Sequence, residues 1–295
     1  VMKKILLTGG NGFIGKNIQE SFLSEKYEIY APRSFELNLL DTESVDKYFE
    51  NKSFDVVLHA AVKPGHRNAK DTANLFYSNL RMFENLERKK GKFKKFINFG
   101  SGAIYDVSKN ITQVQEKDIF KQMPYDEHGF CKYVEQKQIE QLENFIDLNI
   151  FGIFGKYEDW EIRFISNAIC KTLHGLPVTL RQNRRFSYLF VDDLMPVLDY
   201  MIQNEMKYKS YNIVPDEEAE LYKLAEIIQE LSGKNTGISV SKDGYGLDYT
   251  GSNKRLKLEI PDLKFTKIEQ SIELLYNYYR ENLEKIDRNL LLEDK

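Results

Sequence analysis

Three glycines at positions 9, 12 and 15, set between a short apolar run and an amphipathic stretch, constrain this chain more than any other feature. Ile5-Leu6-Leu7-Thr8 reads as a buried strand entering a tight turn, and residues 15–24 read as the helix that leaves it. One glycine makes the turn, one lets backbone approach a pyrophosphate, and one lets helix pack on strand. The helix start then offers free N–H groups and the positive end of its dipole to phosphate. Gly9, Gly12 and Gly15, with Phe13 and Ile14 between them, are therefore expected to hold a dinucleotide.

The rest of the chain continues the pattern. Residues 27–30, 54–61 and 93–99 read as strands, with a helical stretch at 73–89. Such alternation predicts an α/β fold, a Rossmann-type doubly wound parallel sheet covered on both faces. After about residue 155 the alternation loosens into helices at 161–173, 219–231 and 268–282, a strand at 186–191, and a charged tail read as a frayed helix end. Residues 1–155 are expected to form the dinucleotide-binding domain, also receiving parts of 186–210. Residues 156–295 are expected to form mainly a smaller, interleaved substrate domain.

Composition excludes some partners. The 42 Lys and Arg nearly cancel the 45 Asp and Glu, a net charge of −3, so no global field points to nucleic acid or an anionic membrane. Two cysteines, Cys131 and Cys170, make no disulfide framework and fit a reducing compartment. No apolar run approaches the ~20 residues of a membrane span, and Ile5-Leu6-Leu7 is too short for a signal peptide. A cytoplasmic location is the expectation. Asp192 and Asp193 have no His or Cys nearby, so no metal site is expected.

The Gly-x-x-Gly-x-x-Gly spacing resembles the fingerprint of the extended short-chain dehydrogenase/reductases, among them nucleotide-sugar epimerases and reductases. Glu36-Leu37-Asn38-Leu39-Leu40-Asp41, His59-Ala60-Ala61, Gly100-Ser101-Gly102-Ala103-Ile104-Tyr105 and Val191-Asp192-Asp193-Leu194 resemble the GDP-L-fucose synthase group, as does the helix at 274–282. The resemblance runs in order along nearly the whole chain. It implies a nicotinamide cofactor, a nucleotide-diphospho-sugar substrate and a homodimer. It also implies Asn38 near the adenine, Ala60 and Ala61 beneath the ribose and pyrophosphate, and Asn79 behind the active site. The second strand ends Tyr30-Ala31-Pro32-Arg33-Ser34 without the acid that would hold an NAD ribose, and Arg33 suits a 2′-phosphate. NADP is the expected form, with NAD the alternative.

In the resembled family a Tyr-x-x-x-Lys pair works beside a serine at a strand end. Residues i and i+4 share a helix face, so the lysine lowers the phenol's pKa while the serine holds the sugar oxygen. Ser101 takes the serine's place. His128-Gly129-Phe130-Cys131-Lys132 matches the tyrosine segment with histidine in the tyrosine's position, so His128 and Lys132 are the expected pair. Tyr133 and Lys137 match the motif literally, but five residues turn a helix by about 140°, so the two registers exclude one another. Tyr125 is a second substitute for the missing phenol.

By the same resemblance, the cysteine of epimerising relatives is here Ala103, and no histidine occurs between 155 and 167; Glu158 and Asp159 there read as surface charges. Arg185, then Arg184, then Arg181 are the expected clamps on the substrate diphosphate, and Gly152 stands where relatives carry an asparagine. The expected activity is reduction of a 4-keto sugar nucleotide without epimerisation. The alternatives are a 4-epimerase or dehydrogenase with tightly held NAD, and a non-catalytic binding protein.

Overall fold

The computed structural model describes residues 2–65 and 71–293. Its centre is a six-stranded sheet of β1 (Lys4–Thr8), β2 (Glu28–Tyr30), β3 (Phe54–His59), β4 (Phe93–Ser101), β5 (Phe145–Ile150) and β6 (Ser210–Ile213). Their order across the sheet is β6-β5-β4-β3-β1-β2. Every pairing is parallel, from Ile5 opposite Val56 to Asn98 opposite Asp147. The strands are apolar because both faces are covered. On one face, Ile5, Leu7, Val56, Leu58 and Ile97 pack against Ile18 of α1 (Phe13–Glu20) and against Leu194, Leu198 and Met201. On the other, Leu6, Val57 and Phe96 pack against Phe49, Phe83 and Ile139.

Order reverses between β1 and β3, the switch point at which such sheets leave a crevice beyond the strand ends. The second half of the chain is woven into the first. The strand Ile111–Val114 leaves the central region to pair with Tyr249–Gly251, in a four-stranded sheet that also holds Arg185–Phe186 and Ala219–Glu220. β6, from the second half, closes the edge of the main sheet. A separate core forms where the helices Phe164–Leu173, Leu221–Ser232 and Ile268–Glu281 meet.

Several boundaries shift from the sequence reading. The strand expected at 186–191 is cut at Ser187, and Val191 already begins the helix Val191–Gln203. The first helix stops at Glu20 and is followed by the single turn Leu23–Lys26. The tail forms short 3-10 turns, and buried Leu291 docks the second of them on the second core. No helix among the described residues is long and apolar enough to cross a membrane.

Candidate active site

The glycine loop shows why each glycine is there. Gly9 adopts φ +71°, and a Cβ on it would fall 2.7 Å from the backbone of Ala60 and Ala61. A Cβ on Gly15 would lie 2.3 Å from the Gly9 carbonyl oxygen. Both are closed to any side chain. Gly12 differs: its nearest neighbour would be the Gly9 oxygen at 3.3 Å, and it starts α1 without a side-chain cap. That leaves an open helix N-terminus over a backbone cradle, which fits a dinucleotide pyrophosphate. Thr8 ties the crevice together, its hydroxyl accepting from the Ala61 N–H at 3.2 Å and lying 2.8 Å from His59 Nδ1. Burial, with the charge of Lys132 adding to it, depresses the His59 pKa to about 3, so its imidazole is neutral.

The other residues expected around the cofactor sort into two kinds. Phe13, Ile14, Ala60 and Ala61 line the crevice half-buried, and Arg33 is exposed just beyond β2. Asn79 instead holds the loop after β3, accepting from the Lys63 N–H at 2.7 Å and donating to the Lys63 carbonyl at 3.0 Å. The Asn38 side chain closes its own turn by accepting from the Leu40 N–H.

Ser101 ends β4, and its hydroxyl accepts from the Ala103 N–H at 3.1 Å. The helix Glu127–Ile139 is pressed onto this corner, since a Cβ on Gly129 would sit 2.5 Å from the Ala103 carbonyl oxygen. Asp126 caps that helix by accepting from the Gly129 N–H at 2.8 Å. His128 follows at its second position, with its Cβ facing Gly65 of the loop after β3.

Lys132 lies one turn further along, 4% exposed. Its ammonium donates to Glu135 Oε2 at 2.8 Å, and Asn98 donates to the same carboxylate at 3.0 Å and to Asp147 Oδ1 at 2.9 Å. The expected ammonium standing free beside a cofactor ribose is therefore found in a buried ion pair. Burial works against the charge, and Glu135 together with Cys131 and Asp147 outweighs it.

The rival register points elsewhere. Tyr133 stacks with Phe130 and meets Phe120 edge-on, and Lys137 sits 5.0 Å from the Tyr133 ring. Tyr125 is 90% exposed. Tyr249, from the four-stranded sheet, packs its ring 4.9 Å from Phe151 and edge-on to Phe186 at 5.7 Å. The pairing of its strand with Ile111–Val114 brings it there.

A cavity of about 680 Å³ is lined by Arg184, Arg181, Lys171, Phe186 and Tyr188 among others. The two arginines fall in the reverse of the expected order. Arg184 enters the cavity with its guanidinium 4.6 Å from the Phe186 ring centre. Arg185 turns the other way and forks onto Asp248, at 3.1 and 2.6 Å. Neighbouring strand residues face opposite sides, so one could enter only if the other left.

Three further positions differ or gain a reason. Glu158 is buried, accepts from the Ser166 hydroxyl at 2.6 Å and is pushed up to about 8 by desolvation, so it is not a surface charge. Gly152 leaves room for Tyr188, whose ring a Cβ would meet at 2.7 Å. Asp193 accepts from the Thr266 N–H and hydroxyl, pinning the helix Val191–Gln203 to the second half. Among the described residues no cluster of His, Cys, Asp or Glu is arranged to hold a metal.

Fold and crevice together define a nucleotide-cofactor enzyme of the α/β class. Residues 5–214 match the NAD dependent epimerase/dehydratase family, and the chain belongs to it, in the extended short-chain dehydrogenase/reductase group of nucleotide-sugar reductases and epimerases. Among curated relatives it is 25% identical to the GDP-L-colitose synthase of Yersinia pseudotuberculosis, over 69% of this chain and 73% of that one. It is also 25% identical to the GDP-L-fucose synthase of Dictyostelium discoideum, over 96% and 97%. Among solved structures, the GDP-mannoheptose C4 reductase of Campylobacter jejuni with NADP bound superposes with a TM-score of 0.82, at 19% identity over 95% of this chain and 98% of that one.

Proposed function

We propose that this enzyme reduces the 4-keto group of a nucleotide-diphospho-sugar, using NADP in its reduced form, without epimerising the neighbouring carbons. One observation carries the reading. Ser101 ends β4, two strands across the sheet from the glycine turn that follows β1, while position 103 carries only a methyl group and Glu158 is buried against Ser166. A hydroxyl to hold a carbonyl oxygen is present, and the acid and base that carbon epimerisation needs are not set beside it.

The chemistry such a cofactor supplies when bound is hydride transfer. Gly9, Gly12 and Gly15, with Phe13 and Ile14, hold its pyrophosphate on the start of α1, and Arg33 pairs with the 2′-phosphate. Ala60 and Ala61 floor the ribose, and Asn79 fixes the loop beside it. Lys132 contributes positive charge from beneath, shared with Glu135. Ser101 donates to the sugar's carbonyl oxygen, and His128 stands in the helix position where the resembled family places its acid. Arg184 clamps the diphosphate with charge-assisted hydrogen bonds, leaving Arg185 to brace the strand. A cytoplasmic homodimer goes with this reading, and both cysteines are buried free thiols.

The test is turnover. Purified protein saturated with NADPH should consume it when given a GDP-, dTDP-, UDP- or CDP-linked 4-keto sugar. No consumption with any of the four would overturn the proposal, and NAD released only on denaturation would favour an epimerase that keeps its cofactor.

A further inference from the structure

We propose that Asp248 is a positioning residue for substrate binding: it holds Arg185 away from the cavity and so keeps Arg184 inside it, as the clamp on the sugar nucleotide's diphosphate. The ligand is that of the reductase reading; the arrangement of the two arginines stands on geometry alone.

The question is one of register. Arg184 and Arg185 are neighbours at the start of a strand of only two residues, Arg185–Phe186. Its ladder is thin, with Glu220 opposite Arg185, Ala219 opposite Phe186, and Tyr249 opposite Phe186 on the other side. Successive side chains of an extended segment point to opposite faces, so a slip of one residue would exchange the two guanidiniums. So few ladder positions resist a slip weakly. A side-chain anchor decides it.

Asp248 is that anchor. It is 5% exposed, and its carboxylate accepts from Arg185 Nε at 3.1 Å and from Nη2 at 2.6 Å, the forked contact that a planar guanidinium makes best. The same carboxylate accepts from the Thr112 hydroxyl at 2.9 Å. The Asp248 backbone is tied as well: its N–H donates to Asn110 Oδ1 at 2.7 Å, and its carbonyl accepts from the Ile111 N–H at 3.0 Å. Held by three residues of another segment, Asp248 cannot follow Arg185 if the short strand slips. A buried carboxylate deprived of its cation is costly, so the register that keeps Arg185 on Asp248 is the favoured one.

Arg184 is placed by this lock from the opposite face. Its guanidinium lies 4.6 Å from the Phe186 ring centre, and its buried Nε–H has no hydrogen-bond partner among the described residues. Burial lowers its pKa, with Tyr188, Tyr249 and Asp248 acting in the opposite sense. A buried cation with an open donor on a cavity wall is what an anionic diphosphate relieves. Arg185, by contrast, already has its carboxylate.

Asp248→Asn keeps the shape and an acceptor for Thr112 and removes the charge. It should raise KM for the 4-keto sugar nucleotide about tenfold, and likewise the Kd for whichever of GDP, dTDP, UDP and CDP the wild type binds, with kcat and the NADPH Kd unchanged. Adding Arg185→Ala should restore the wild-type KM, because no second guanidinium is then left to exchange with Arg184. An acid that served stability alone would leave the double variant at least as impaired as the single one. A second readout needs no turnover. In protein carrying 15N-labelled arginine, the Nε–H signals missing from Arg184→Ala and from Arg185→Ala should both shift in Asp248→Asn. Thr112→Val, which loosens the carboxylate without stranding a charge, should shift both by less. A wild-type KM in Asp248→Asn, no recovery in the double variant, or an Arg184 signal that stays in place overturns the assignment with the reductase reading intact. A wild type that binds a nucleoside diphosphate and reduces no 4-keto sugar removes the reductase reading, and the Kd and the arginine signals then decide the assignment by themselves.

Discussion

The two ends of the crevice are built on different principles. At β1 the site is made of backbone: Gly9 and Gly15 are closed to any Cβ, and the ligand-facing groups are N–H donors that every residue carries. At β4 and β5 it is made of side chains that arrive from distant parts of the chain, Ser101 from a strand end, Lys132 from a helix and Arg184 from the second half. The backbone end is set by local sequence. The side-chain end depends on which elements the fold brings together, and there a histidine stands in one motif position.

The largest contrast is in stability. Lys132→Ala should cost about 3–5 kcal/mol in urea unfolding, because it strands the Glu135 carboxylate in the interior. Removing both charges together should recover much of that. A loss no larger than at an exposed lysine would show that the ion pair does not hold the corner. Gly15→Ala should cost about 1–3 kcal/mol through its backbone clash. Gly12→Ala should leave stability unchanged and weaken NADPH binding roughly tenfold, equal to about 1.4 kcal/mol. Equal behaviour of the two glycine variants would erase the distinction between a packing glycine and a ligand-facing one.

The same contrast explains what could be read from sequence. The glycine loop, the strands around it and the parallel sheet were legible because strand, turn and helix follow within a few residues, and a backbone site needs only glycine where a Cβ would clash. Ser101 and the 128/132 register rest on resemblance to neighbouring motifs. Three features were not legible. Glu135 stands one helical turn from Lys132, but no local pattern reveals that the pair is buried. The choice of Arg184 over Arg185 depends on which face of a short strand looks into the cavity, and Asp248 decides it from far along the chain. Tyr249 packs on Phe151 only because Ile111–Val114 crosses out of the first half to pair with its strand.

On the substrate side, Arg184→Ala should raise KM about tenfold or more, as expected for the loss of charge-assisted hydrogen bonds. Arg185→Ala should leave KM unchanged. The reverse result would return the clamp to Arg185 and make the cavity-facing arginine incidental.

The smallest expected effect is a pH slope. Burial raises the Asp147 carboxyl to about 7, against the pull of Lys132. The native protein then keeps a proton that the unfolded chain releases near pH 4, so stability should decline as pH rises from about 4 to about 7. Asp147→Asn should flatten that decline. An unchanged slope in the variant would move its origin to another buried acid such as Glu158.

The central claim is that the backbone cradle and the Ser101 corner are two ends of one dinucleotide site. A crystal structure of the protein with NADPH tests it most directly. The account predicts the pyrophosphate at the start of α1 beside Gly12, with the nicotinamide lying toward Ser101. A pyrophosphate bound away from the glycine loop, or a nicotinamide ring turned from Ser101, would contradict it.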